Sequence, residues 1–319
     1  MTRHLFILLS ILLVCFGCGP KSSHEGSAND TTVLRIDHDT AAGALSVFRS
    51  GENTPILTQN AKENFRPYLH PIAAPDGKGV LTEYSPGHHK HQTGLYWGFT
   101  RVNGRDYFHH PEGDYWKRVS ANVIEGEGKV VKWQTVYDLL AEDGSTVLTE
   151  TQRWTLMAVQ GKYFLDLEWR GEAKTDVTIG EYDYGGLFLR MPWREGIPGE
   201  VINAARQRNE KAEGQRAMWV DVGMQVEGRT DLAHIAIFDH MDNERFPQPW
   251  RVDGQLGIGP ALARLGDWKI PKGRTETLQH RLVVYNGVLN DVEMIKAWET
   301  YVGDSTYATA SLWDLAREE

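Results

Sequence analysis

Tyr163-Phe-Leu-Asp-Leu-Glu-Trp169 alternates apolar and polar side chains with a period of two, and Phe164 is its single break. That period puts successive side chains on opposite faces of a β-strand, one face buried and one wet. Working outward, strand-like runs recur at 32–36, 44–49, 95–102, 130–139, 146–157, 177–181, 187–191, 218–226, 233–238 and 277–285. Asn103-Gly104, Asp143-Gly144 and Asp253-Gly254 punctuate them, dipeptides that close hairpins and tight loops. Helical periods are missing between these runs, so the pattern predicts an antiparallel meander and not a βαβ chain. The expectation is an all-β fold, a large two-sheet antiparallel β-sandwich. One short C-terminal helix is predicted near 291–302, with Asn290 or Asp291 as cap and Val292, Ile295, Trp298 and Tyr301 on its packed face.

The front of the chain reads differently. Met1-Thr-Arg-His4 is positively charged, and Leu5 to Phe16 is almost wholly apolar. That run suits a secretory signal and is shorter than the roughly 20 apolar residues of a spanning helix. Cys15-Phe-Gly-Cys18 ends it, and Gly19-Pro-Lys-Ser-Ser begins a polar linker. The expected organisation is a lipoprotein signal over 1–18 with Cys18 lipidated, a linker over 19–31, and one domain over 32–319, held to a membrane on the periplasmic side or at the cell surface. Cys15 is the alternative acceptor. Both cysteines lie in this leader, so the domain has neither a disulfide nor thiolate chemistry. A net charge of −9 and the lack of basic stripes argue against nucleic acid as partner.

Six of the twelve histidines fall between His70 and His110: His70-Pro71, then His88-His89-Lys90-His91, then His109-His110-Pro111. The prolines and Gly87 put most of them on loops at strand ends, where polar groups can share a cleft. Imidazole suits proton transfer near neutral pH and is also the commonest metal ligand. His89 and His91 are two apart and face one side of an extended segment, so they are the pair that a divalent metal would use. Glu83, Asp106, Glu112 and Asp114 are the nearby carboxylates, yet the spacing matches no metal motif. Solvent-exposed loop histidines are the bland reading of the same residues.

Two further constellations carry polar and aromatic groups together. Glu181-Tyr-Asp183-Tyr184-Gly185-Gly186 leads into Arg190, and the glycine pair lets backbone approach a ligand or simply bulges a strand. His240-Met-Asp-Asn243 runs on to Trp250, and indole faces with amides and carboxylates suit sugar rings. Core packing is the other reading of any one of the eleven tryptophans.

At these residues the sequence resembles a family of secreted bacterial proteins commonly labelled "methane oxygenase PmoA". The resemblance rests on Arg66-Pro-Tyr-Leu-His70-Pro71, His89-Lys-His91-Gln-Thr-Gly94-Leu-Tyr-Trp97, Asp183-Tyr-Gly-Gly-Leu187 and Ile237-Phe-Asp-His240 through Asn243 to Trp250. It covers about residues 32–302. This chain carries Gln92 where many members carry a further histidine, so a fixed three-histidine metal site is not implied. The label itself does not suit the chain, because a membrane methane oxygenase subunit needs several long apolar spans and none follows residue 18. What the resemblance implies is a galactose-mutarotase-type supersandwich whose concave face binds sugar.

The expected function is acid/base chemistry on a sugar or modified oligosaccharide: epimerisation, β-elimination or hydrolysis. The expected acid/base or ligand residues are His70, His89, His91, Asp183, Tyr184 and His240, gathered at one cleft. His88, Trp97, Arg190, Asn243 and Trp250 are the expected substrate contacts. No cofactor is implied beyond a divalent metal on His89 and His91. A non-catalytic glycan-binding surface lipoprotein is the competing reading, and a shallow aromatic platform in place of a deep polar pocket would mark it.

Overall fold

The computed structural model describes residues 32–303 other than His88. Cys18, the leader, the linker, His88 and the end of the expected domain therefore lie outside the described residues. Among the described residues the chain forms two large antiparallel sheets. In spatial order the nine-stranded sheet runs Trp250–Val252, Gly257–Pro260, Gly186–Arg190, Leu95–Gly98, Tyr68–Ile72, Leu57–Asn60, Ala44–Arg49, Leu34–Asp39 and Glu127–Gly128. The eight-stranded sheet runs Gly199–Asn203, Trp219–Met224, Ala233–Asp239, Thr275–Asn286, Lys162–Ala173, Thr146–Val159, Val130–Leu140 and Trp116–Glu125. A small pair, Val177–Ile179 with Trp268–Ile270, stands apart.

Alternation decides which face each strand buries. Leu69, Leu95, Trp97, Leu187 and Leu189 from the first sheet meet Trp154, Leu165, Leu167, Trp169, Ile235 and Leu282 from the second in one apolar cluster. Trp97 stacks on Trp169 across the gap, with ring centroids 4.8 Å apart. Side chains in the opposite phase form two further clusters on the outer faces. Phe164, Phe238, Val283 and Tyr285 lie under the helix Asp291–Gly303, which buries Met294, Ala297 and Tyr301 against them. Tyr68, Tyr96 and Phe188 line up on the outer face of the nine-stranded sheet.

All three Asx-Gly signals close turns, between 102 and 105, between Val130–Leu140 and Thr146–Val159, and between Trp250–Val252 and Gly257–Pro260. Two expectations need correction. The nine-stranded sheet is not a simple meander, because Leu95–Gly98 pairs with Gly186–Arg190 from far along the chain. The helix also sits rotated from its expected face: Val292 and Ile295 are exposed, while Met294 and Ala297 are packed. Asn290 caps it, its Oδ1 accepting from the backbone of Val292 at 3.1 Å. That places Met294, Ala297 and Tyr301, at three- and four-residue spacing, against the sheet.

Candidate active site

The outer row of the nine-stranded sheet is the floor of the site. Tyr68 faces Tyr96 across one strand pair and Phe188 faces Tyr96 across the next, so three aromatic rings sit side by side. In the next row His70 and Arg190 flank Gly94, whose φ of +86° and close approach to the Leu69 carbonyl and the His70 Cβ leave no room for a side chain. Gly185 and Gly186 take φ values of +133° and +108°, open only to glycine, and turn the chain so that Tyr184 lies over Phe108 with centroids 4.9 Å apart.

Arg66 ties the two histidine segments to this floor. Its buried guanidinium lies 3.7 Å over the Tyr96 ring and donates to the carbonyls of Phe108 (2.6 Å) and His91 (2.5 Å) and to Thr93 Oγ1 (3.2 Å). Those bonds bring the 89–91 loop against the 106–110 loop. A cavity of about 170 Å³ opens between them, lined by His89, His91, Gln92, Phe108, His109, Tyr184, Phe188, Arg251 and Asp253.

Its chemistry centres on His109. Asp106 Oδ1 accepts from the backbone of Phe108 (2.9 Å) and His109 (3.0 Å), and its Oδ2 lies 2.7 Å from His109 Nδ1. Burial alone would raise the Asp106 carboxyl, but the His109 side-chain and backbone hydrogen bonds hold it below its ordinary value. A carboxylate on Nδ1 fixes the tautomer with the proton there, leaving Nε2 to accept from the Tyr184 hydroxyl 3.1 Å away. Asp106, His109 and Tyr184 thus form a continuous proton path ending in the cavity. Burial and a hydrogen bond with Tyr182 push the Tyr184 hydroxyl up, against the pull of Arg251. His91 packs on His109 with centroids 4.5 Å apart and on His89 at 6.0 Å. Burial, then the neighbouring His109, Arg66 and His89, lowers His91 to about 3, so its ring is neutral at physiological pH.

The far wall supplies charge. Arg251 donates to Glu213 at 2.9 Å, and Glu213 also takes Arg264 at 2.6 Å. Asp253 accepts from the backbone of Gln255 and Gly257 at 2.9 and 2.7 Å, and lies 3.5 Å from buried Arg190. Gln92 lines the cavity, and its side-chain Oε1 is buried with no hydrogen-bond partner among the described residues.

The structure brings together His89, His91 and Tyr184 of the expected cleft residues. His70 bonds Thr82 through Nδ1 at 2.9 Å and is not a lining residue of the cavity. Arg190 stands behind Asp253 and is not itself a lining residue. Asp183 is corrected: its side chain is 80% exposed and leans toward Arg264 at 3.8 Å, because in the bend before Gly186 it points away from its neighbour Tyr184, which turns toward the cavity. His240 is corrected too. It packs edge-on against Tyr301 at 5.0 Å, under the helix and on the far side of the second sheet.

The expected substrate contacts Trp97, Trp250 and Asn243 are structural. Trp97 is in the inter-sheet core, Trp250 is fully buried with its indole N–H on the Ala217 carbonyl, and Asn243 clips Asp239 to the Gln279 backbone. His88 lies outside the described residues. Sequence reasoning passed over His109, Arg251 and Asp253. The first sat inside the histidine cluster, with Asp106 three residues ahead as the available signal. Among the described residues no group of three or more His, Cys, Asp or Glu is placed to hold a metal ion.

Several solved structures are similar to this chain. They include the GH36 alpha-galactosidase AgaB from Geobacillus stearothermophilus, 8% identical with a TM-score of 0.44, covering 79% of this chain and 41% of that one. The galactose 1-epimerase from Lactobacillus acidophilus is 8% identical with a TM-score of 0.40, covering 82% and 100%. The Slr1438 protein from Synechocystis is 9% identical with a TM-score of 0.35, covering 83% and 99%. The chain spans about two fifths of the length of the galactosidases. No curated protein matches the sequence. A family model covers residues 48–299, most of the chain including every residue of the cavity, and the chain belongs to the family it describes, the "Family of unknown function (DUF6807)".

Proposed function

We propose that the chain is an exported lipoprotein, anchored through Cys18, whose cavity carries out proton-transfer chemistry on a sugar: epimerisation, β-elimination or hydrolysis of a modified saccharide. The observation that carries this reading is the Asp106–His109–Tyr184 path ending in a cavity lined by hydroxyl-binding groups. Tyr184 is the group that meets the substrate proton. As base, Tyr184 first passes its own phenol proton to His109 Nε2 and the phenolate takes the substrate proton; as acid, the phenol gives its proton to the substrate and His109 returns one, with Asp106 steadying the imidazolium. The arrangement follows the general logic of a reacting group, a base and an orienting carboxylate. Gln92, Arg251, Asp253 and neutral His91 are donors and acceptors for a sugar's hydroxyls.

The test is incubation of the domain with neutral, uronate and unsaturated oligosaccharides, followed by proton NMR. New sugar resonances are expected. Line broadening without new resonances supports the glycan-binding alternative, and neither change defeats the carbohydrate reading. For the anchor, Cys18→Ser is expected to move the protein from the membrane to the soluble fraction, since the apolar leader ends there. Retention of that variant on the membrane after leader cleavage would place the anchor elsewhere.

A further inference from the structure

We infer that Tyr84, set beside Tyr68 and His70 at the end of the aromatic row that runs into the cavity, is a second sugar-ring subsite; this rests on the carbohydrate reading of the cavity. The cavity holds about 170 Å³, well below the roughly 300–1,000 Å³ of sites that take drug-sized ligands, so it suits a single ring. A saccharide of two or more rings must therefore leave across the rim.

Tyr84 stands next to the aromatic row that runs into the cavity. It is 42% exposed, whereas Tyr68, 5.4 Å from it, is 6% exposed and belongs to the aromatic row that also contains Phe108 and Phe188 of the cavity. Tyr84 pairs with Thr93, and the next residue, Ser85, donates its backbone N–H to Gln92, whose side chain lines the cavity. The histidine loop thus begins at Tyr84 and returns beside the cavity wall.

Polar groups frame the ring. His70 lies 6.1 Å from it and uses Nδ1 on Thr82, leaving Nε2 for a hydroxyl. Glu83 is held by both arms of Arg194 at 2.6 and 3.0 Å and donates its backbone N–H to the Arg190 carbonyl. A single rigidly held aromatic face in a polar frame matches a pyranose, which has one C–H face and an edge of hydroxyls. A protein partner would ask for a broader apolar patch.

The experiment is calorimetric titration of wild type, Tyr84→Ala and Tyr84→Phe with neutral and uronate saccharides of one to four rings. Wild type is expected to bind two rings more tightly than one. Tyr84→Ala should weaken ligands of two or more rings roughly three- to tenfold, with single-ring binding within about twofold, as the loss of one stacking contact predicts. Tyr84→Phe should bind as wild type does, because the ring face does the holding. Equal wild-type affinity for one and two rings, equal losses at every length, or a phenylalanine variant as weak as alanine would overturn the subsite and leave the cavity reading standing. If no saccharide of any length binds wild type, the carbohydrate reading falls and the subsite with it.

Discussion

His109 and Trp97 show how far single residues could be read. His89 and His91 were legible because two imidazoles at a spacing of two on a Pro/Gly-bounded loop have few structural uses. His109 stood in the same cluster, but its partner Asp106 reads as an ordinary loop carboxylate until folding brings it to 2.7 Å. Trp97 was misread because Leu95-Tyr-Trp-Gly98 is apolar throughout and carries no phase. Only the packed sheet sends Tyr96 outward and Trp97 inward. Glu150 offers a test at this scale. It lies in the inter-sheet core, accepting from Trp169 and Gln152 at 2.8 Å each. Burial pushes its carboxyl up to about 7, against those hydrogen bonds and the pull of Arg66. The folded chain therefore holds this proton more tightly than the unfolded chain, where the value is about 4.3. The stability it supports is complete below that unfolded value and is lost as pH rises toward 7. Glu150→Gln should gain about 2–3 kcal/mol relative to wild type between pH 5 and pH 8 in urea denaturation. A pH-independent difference would show that Glu150 stays ionised.

Elements were legible where period and punctuation agreed. The hairpin on either side of Asp143-Gly144 has long alternating strands, and its edges were found within a residue or two. Strands Leu57–Asn60, Tyr68–Ile72 and Gly199–Asn203 were missed, since four or five residues are too few to establish a period. Trp116–Glu125 was missed for another reason: two register shifts against its partner break the alternation. Between elements the decisive contact is Arg66, which holds both histidine loops through backbone carbonyls that no side-chain pattern reveals. Arg66→Lys keeps the charge but cannot span those acceptors while lying over Tyr96. It is expected to cost about 2–4 kcal/mol in urea denaturation and to weaken ligand binding even where the domain remains folded. A variant as stable and as tightly binding as wild type would remove Arg66 from the account.

At the scale of the molecule, each sheet has an inner face in the common core and an outer face with its own task. The nine-stranded sheet carries the cavity; the eight-stranded sheet carries the helix. That division explains why residues in one constellation part company: Tyr184 belongs to the first outer face and His240 to the second. No sequence pattern distinguishes two outer faces of a sandwich, because both alternate with the same core. His240→Ala should accordingly lower stability by about 1–2 kcal/mol through lost packing on Tyr301, with turnover unchanged. A large fall in turnover at unchanged stability would return His240 to the site.

The most direct measurement is the turnover, by proton NMR, of the first saccharide that wild type converts, compared in Tyr184→Phe and His109→Ala. Each variant should lose about 100- to 10,000-fold in rate, the usual contribution of a positioned acid or base, while still binding the saccharide. Both variants turning over at the wild-type rate would contradict the proton path from Asp106 through His109 to Tyr184.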